Sequence, residues 1–202
     1  RGTYPEEINE LVMKDIAIGI AKKCKSEGVD SIAVARDGRL SGEPLLTNFC
    51  EAILNCGINV NCIGLATSPM LYFAAKKEKS KSGIMITGSH NPKNYNGIKM
   101  VINNSSVSGN EILTLIKDGK ELTTTMRGQI TYSDIKDTYI KEVIDSVEED
   151  LSDLKVVLDS GNGVAQFSFA GNLSYTKNSI EYPVTSGISL LTTEITPEKI
   201  NS

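Results

Sequence analysis

Ser31-Ile32-Ala33-Val34-Ala35 followed at once by Arg36-Asp37-Gly38-Arg39-Leu40-Ser41-Gly42 is a short β-branched run that feeds directly into a polar loop. The pattern predicts a strand that delivers two arginines to a loop at its carboxyl end. Upstream, Ile8, Leu11, Val12, Ile16, Ile20 and Cys24 recur at three-to-four spacing between Pro5 and Glu27, and Gly28 follows as a stop, which predicts an amphipathic helix. Downstream, a second helix is read from Glu43 to about Asn55, ended by Gly57, and a second strand from Ile58 to Ile63 leads to Ala66-Thr67-Ser68-Pro69. Pro69 suits the first turn of a helix read from Met70 to Lys79. Gly83 to Thr87 and Gly97 to Ile102 read as third and fourth strands, separated by the polar loop Gly88 to Asn96.

Strands that alternate with helices in this way predict an α/β fold, a three-layer α/β/α domain with a largely parallel, mixed sheet. In such sheets ligands gather outside the carboxyl ends of strands. The loops Arg36 to Gly42 and Gly88 to Asn96 each follow a strand directly, so they should meet at one edge of the sheet. Helical patterning resumes over Gly109 to Lys120 and Ser133 to Glu149, and Leu154 to Leu158 reads as a strand ending in the turn Asp159-Ser160-Gly161-Asn162-Gly163. A first domain over residues 1–150 and a partial second one over 151–202 follow from this, with a boundary near Leu151. From Gln166 to Ser202 the chain turns rich in Ser and Thr, holds no Asp and shows no clean helix or strand period.

At 202 residues the chain suits one full domain and part of another, and 40% hydrophobic with 23% charged residues is ordinary for a packed globular protein. A net charge of −4 offers no basic surface for nucleic acid or an anionic membrane, so a small-molecule partner is expected. Cys24, Cys50, Cys56 and Cys62 form no C-x-x-C pair and one His cannot complete a zinc set, so reduced, buried thiols are expected. There is no run of 18 apolar residues and no charged-then-apolar leader, which favours a cytoplasmic location. The chain opens on Arg1 rather than Met, which reads as a start inside a longer frame.

Chemistry centres on Ser89-His90-Asn91-Pro92. A hydrolase triad is a poor reading, because a nucleophile elbow needs G-x-S-x-G and a distant His, and the single His here is the next residue. A loop with Ser, Asn and backbone amides around Gly88, accompanied by Arg36, Arg39, Lys93 and Lys99, is suited instead to phosphate. Phosphoryl transfer asks mainly for charge and position, so a Ser hydroxyl among basic residues could carry the group. Plainer readings stand beside it. His90 could order the loop, Lys99 could be a solvated strand residue, and Arg36 with Asp37 could be a surface ion pair worth under about 1 kcal/mol.

Thr87-Gly88-Ser89-His90-Asn91-Pro92, continued by Asn94-Tyr95-Asn96-Gly97-Ile98-Lys99, resembles the phosphoserine loop of the α-D-phosphohexomutase (phosphomannomutase/phosphoglucomutase) family. Gly88, where many members carry Ala, resembles the bacterial phosphomannomutase/phosphoglucomutase branch more than the phosphoglucosamine mutases. Arg1-Gly2 resembles the end of the family's Asp-Ile-Arg-Gly opening, Arg36 to Gly42 its Arg-Asp-Gly-Arg-x-Ser loop, and Val156 to Ala165 the first strand and turn of its second domain.

The resemblance implies an intramolecular phosphotransferase that interconverts hexose 1-phosphate and hexose 6-phosphate, mannose or glucose, with glucose 1,6-bisphosphate or a similar compound as activator. It implies that Ser89 is the phosphoserine and that its phosphate is one ligand of Mg²⁺. His90 and Lys99 would assist proton transfer and phosphate stabilisation, Arg36 would stand with them in the catalytic set, and Arg1, Ser89, Asn91 and Lys99 would meet the substrate. The family draws three further Mg²⁺ ligands from an Asp-Gly-Asp-x-Asp-Arg loop, and the last Asp here is Asp159. The expectation is therefore a fragment, truncated or aberrant after about residue 165 and nearly inactive alone, since one oxygen ligand is too few for a tight Mg²⁺ site. The competing readings are a non-catalytic sugar-phosphate-binding α/β fragment or pseudo-enzyme and, further off, a nucleotide-binding half domain resting on Gly161 to Gly163.

Overall fold

A computed structural model describes residues 1–119, 122, 124 and 126–146, with the backbone of two strands at 174–177 and 180–183. The chain divides into two compact units, Arg1–Ile135 and Lys136–Ser202. The first unit runs β1 (Gly2–Thr3), α1 (Glu10–Ser26), β2 (Ser31–Arg36), α2 (Gly42–Asn55), β3 (Asn59–Leu65), α3 (Ser68–Lys77), β4 (Gly83–Ile86), β5 (Tyr95–Asn96), β6 (Ile98–Ile102), β7 (Ser105–Ser106), α4 (Gly109–Lys117) and β8 (Ile130–Tyr132).

Six of these strands make one sheet in the order β7-β6-β4-β2-β3-β8. β2 runs parallel to β3 and β4, and β3 parallel to β8, while β6 and β7 are antiparallel additions, so the expected mixed, largely parallel sheet is present. Because the side-chain period of a strand is two, its residues sort by face. Ile32 and Val34 of β2 and Ile84 and Ile86 of β4 join one core with Met13, Ala17 and Ile20 of α1 and Leu45, Phe49 and Ile53 of α2. The intervening Ala33, Ala35 and Met85 are equally buried but lie outside that cluster, on the side of α3, whose Met70, Leu71, Ala74 and Ala75 are buried. A Cβ added at Gly83 would come within 2.8 Å of the Ala75 Cβ. Right-handed crossovers require the same split, since β2 to β3 and β3 to β4 step across the sheet in opposite directions. The domain is thus three-layered, with α1 and α2 on one face and α3 on the other.

Several boundaries differ from expectation for visible reasons. Helix α3 starts at Ser68 rather than Met70, because the Thr67 hydroxyl accepts from the Met70 N–H and caps it. It stops at Lys77, where Glu78 turns extended. Helix α4 stops at Lys117, short of the expected Lys120, and Gly119 takes φ +66°. A helix expected from Ser133 begins instead at Lys136, because Ser133 is bonded to β3 through its N–H to the Cys62 carbonyl and its hydroxyl to Asn61 Oδ1.

The second unit holds α5 (Lys136–Asp145) and the antiparallel pair β9 (Ser174–Lys177) and β10 (Ile180–Pro183). That pair lies in the tail from Gln166, whose sequence shows no clean helix or strand period. The division between units falls after Ile135, ahead of the boundary expected near Leu151. The expected strand Leu154 to Leu158, the turn Asp159 to Gly163 and the matching stretch Val156 to Ala165 lie outside the described residues. All four cysteines are buried and unpaired by disulfides, as expected. Among the described residues no helix is long and apolar enough to cross a membrane.

Candidate functional site

The parallel pairing of β2 with β4 sets Arg36 opposite Ile86, so the loops after these strands leave the sheet side by side. Backbone bonds stitch the strand ends together: the Asp37 N–H donates to the Ile86 carbonyl at 3.0 Å and the Ala66 N–H to the Arg36 carbonyl at 3.0 Å. The expected meeting of the two polar loops at one sheet edge is therefore observed.

The loop after β2 supplies side chains. Asp37 Oδ2 accepts from the Thr87 hydroxyl at 2.7 Å and from Arg39 Nε at 3.2 Å, and Oδ1 accepts from the Arg39 N–H at 3.1 Å. The Arg39 guanidinium donates onward to the carbonyls of Ser89 (3.0 Å), Asn91 (2.7 Å), Pro92 (2.5 Å) and Tyr95 (2.8 Å). Its side chain is only 13% exposed. The space comes from Gly88, where a Cβ would lie 2.3 Å from Arg39 Cζ and 2.6 Å from the Tyr95 carbonyl oxygen.

The loop after β4 supplies the hydroxyl. Ser89 is half-buried and holds φ +55°, a left-handed conformation unusual for a residue with a side chain. Its N–H donates to Thr87 Oγ1 at 2.8 Å, and its Oγ lies 3.3 Å from Nδ1 of the exposed His90. Asn91 orders the loop by donating from Nδ2 to the Gly88 carbonyl at 2.9 Å. The far end of the loop is fixed by buried Asn96, which donates to Ser41 Oγ at 2.8 Å and accepts from the Gly97 N–H.

Lys99 pairs across the strands with Met85, on the α3 face, and its Nζ reaches Ser68 Oγ in the first turn of α3 at 3.5 Å. Arg1 lies against Gly97, where a Cβ would come 3.0 Å from Arg1 Cα, because β1 pairs antiparallel with β5. Glu7 secures that strap: the Thr3 N–H and hydroxyl bond its carboxylate, which holds it below the usual carboxylate range.

Arg36 turns elsewhere. Its Nε donates to Glu43 Oε2 at 2.7 Å and its NH1 to the Asp37 carbonyl, so the surface pair considered between Arg36 and Asp37 is replaced by Arg36 with Glu43 and Arg39 with Asp37. The sequence reading set Arg39 among the basic residues around a phosphate and Asp37 in a pair with Arg36; the structure instead joins Arg39, Asp37 and Thr87 to build the loop.

Among the described residues, no three His, Cys, Asp or Glu side chains gather as metal ligands. Asp37, the carboxylate bonded into the loop, already accepts from three donors. The described residues therefore do not fit as a full Mg²⁺ ligand set.

Residues 1–129 match the protein family described as phosphoglucomutase/phosphomannomutase, alpha/beta/alpha domain I. The chain is 36% identical over 176 residues to a phosphoglucomutase of Neisseria meningitidis serogroup B, covering 86% of this chain and 38% of that protein. It is 38% identical over 166 residues to a phosphomannomutase/phosphoglucomutase of Pseudomonas putida, covering 82% of this chain and 36% of that one. A crystal structure of a phosphoglucomutase/phosphomannomutase family protein from Burkholderia thailandensis superposes with a TM-score of 0.68 at 30% identity, over 72% of this chain and 34% of its own. The chain thus spans less than two-fifths of the length of these curated relatives.

Proposed function

The chain belongs to the phosphoglucomutase/phosphomannomutase family, and from that premise we propose that Ser89 is the phosphoryl carrier of an intramolecular phosphotransferase acting on hexose phosphates. The observation that carries the reading is Ser89 itself, held left-handed at the carboxyl end of a central strand with its Oγ 3.3 Å from His90 Nδ1.

Charging of the serine starts from a hexose bisphosphate such as glucose 1,6-bisphosphate. Ser89 Oγ forms a bond to phosphorus as the bond from phosphorus to the sugar oxygen breaks, and the Oγ proton passes by way of His90 to that oxygen. In turnover phosphoserine gives its phosphoryl group to a mannose or glucose monophosphate, the bisphosphate reorients, and the other phosphate returns to Ser89. Lys99 supplies positive charge from the α3 side, and Arg1 meets the substrate phosphate from the β1 strap. Asn91 presents the loop to the substrate, and Arg36 holds geometry through the Asp37 carbonyl and Glu43. Mg²⁺, when bound, would neutralise charge on phosphoryl oxygens; among the described residues a Ser89 phosphate would be a ligand to it, and the steps above rest on the chain's own groups. A cytoplasmic setting and a small-molecule partner, without nucleic acid or membrane, agree with the net charge of −4.

The test is mass spectrometry of the purified chain before and after incubation with glucose 1,6-bisphosphate. One phosphate on the peptide holding Ser89, lost in Ser89→Ala, is expected. A chain that binds sugar phosphate yet takes no phosphate on Ser89 would replace this reading with a non-catalytic binding module.

A further inference from the structure

We propose that Arg39, acting with Asp37, is a positioning residue that sets the backbone of Ser89, and that it does not bind phosphate. The inference rests on the reading of Ser89 as phosphoryl acceptor. Nε, NH1 and NH2 of Arg39 all donate within the protein, to the Asp37 carboxylate and to the carbonyls of Ser89, Asn91, Pro92 and Tyr95, so its fork is turned into the loop rather than toward a ligand. A second chain of bonds runs from the same ion pair: Asp37 accepts from the Thr87 hydroxyl, and Thr87 Oγ1 accepts from the Ser89 N–H.

Ser89 is thus held by its carbonyl and by its N–H, both ends traced to Arg39 and Asp37. Such bracing is what a left-handed non-glycine residue needs in order to persist. A planar fork suits convergent carbonyls where a lysine ammonium, a point charge with three donors, does not.

The test compares the 202-residue chain with Arg39→Lys and Arg39→Ala. Two quantities are read: the Ser89 ¹³Cα and ¹³Cβ chemical shifts, which report its φ and ψ, and the rate of phosphate incorporation from glucose 1,6-bisphosphate. Both Arg39 variants are expected to move the Ser89 shifts while core methyl shifts stay in place, and to slow incorporation about 100-fold, the scale of a reacting group misplaced by roughly an ångström.

Wild-type incorporation by Arg39→Lys would overturn the proposal, because charge alone would then suffice. Unmoved Ser89 shifts would also overturn it. Should Arg39→Ala fail to fold, Arg39→Lys still decides. If the wild-type chain takes up no phosphate, the acceptor reading fails on that result alone, and the Ser89 shifts by themselves uphold or overturn the positioning.

Discussion

The two faces of the central sheet are filled to different gauges. On the side of α1 and α2, Phe49, Met13, Ile20, Leu45 and Ile53 meet Ile32, Val34, Ile84 and Ile86, all large and fully buried or nearly so. On the side of α3, Ala33, Ala35 and Gly83 face Ala74 and Ala75, with Met85 and Leu71 the main bulk. Burial scales with apolar area, so the first face provides most of the stability. The second face provides proximity. Small residues let α3 settle close to β2 and β4, which brings Ser68 at its start to Lys99 on β6. Stability and placement of the site are thus assigned to opposite sides of one sheet.

The comparison breaks most visibly at Phe49. Phe49→Ala should lose about 3–5 kcal/mol of stability, measured by urea unfolding, because it empties the thick face. The fraction that stays folded should still accept phosphate on Ser89 at the wild-type rate, and a slowed folded fraction would show that the thick face also positions the site.

Gly83→Val sharpens the other half. Its side chain would run into Ala75 and Leu71, at an expected cost of about 1–3 kcal/mol, and by lifting α3 it should shift the amide resonance of Ser68 and the side-chain signals of Lys99. Unchanged resonances there would mean that Ser68 and Lys99 do not depend on close helix packing.

The smallest effect belongs to the strap off both faces. The Glu7 carboxylate is held below its usual range by Thr3, so its contribution is present above the unfolded pKa and is lost as pH falls through the lower folded value. In Glu7→Gln the melting temperature should be slightly lower near neutral pH, with the two profiles converging in acid as the wild-type carboxylate is protonated; parallel profiles would remove Glu7 from the account.

The thick face was legible in sequence because its elements are long enough to show a period: α1, α2, β2 and β4 each announce themselves by spacing. β1, β5, β7 and β8 are two or three residues long and carry no period, so they form only because longer neighbours present edges and loops to them. The site was legible to the same depth. Ser89, His90 and Asn91 stand in one contiguous stretch and were picked out together. The clamp was not, because its acceptors are backbone carbonyls, which every residue owns, and because Arg36 and Arg39 are alike until the fold turns one toward Glu43 and the other beneath Gly88. Which arginine does which is decided across about fifty residues of chain, a range that local spacing does not reach.

The six-stranded sheet also ends in a telling way. One margin is β7, a pair of exposed serines reached through Asn103 and Asn104, both at positive φ, and the other is β8, three residues long. Among the described residues, β7 and β8 themselves give a foreign strand only two or three residues to template on, and short edge strands are one way in which a sheet is guarded against edge-to-edge aggregation.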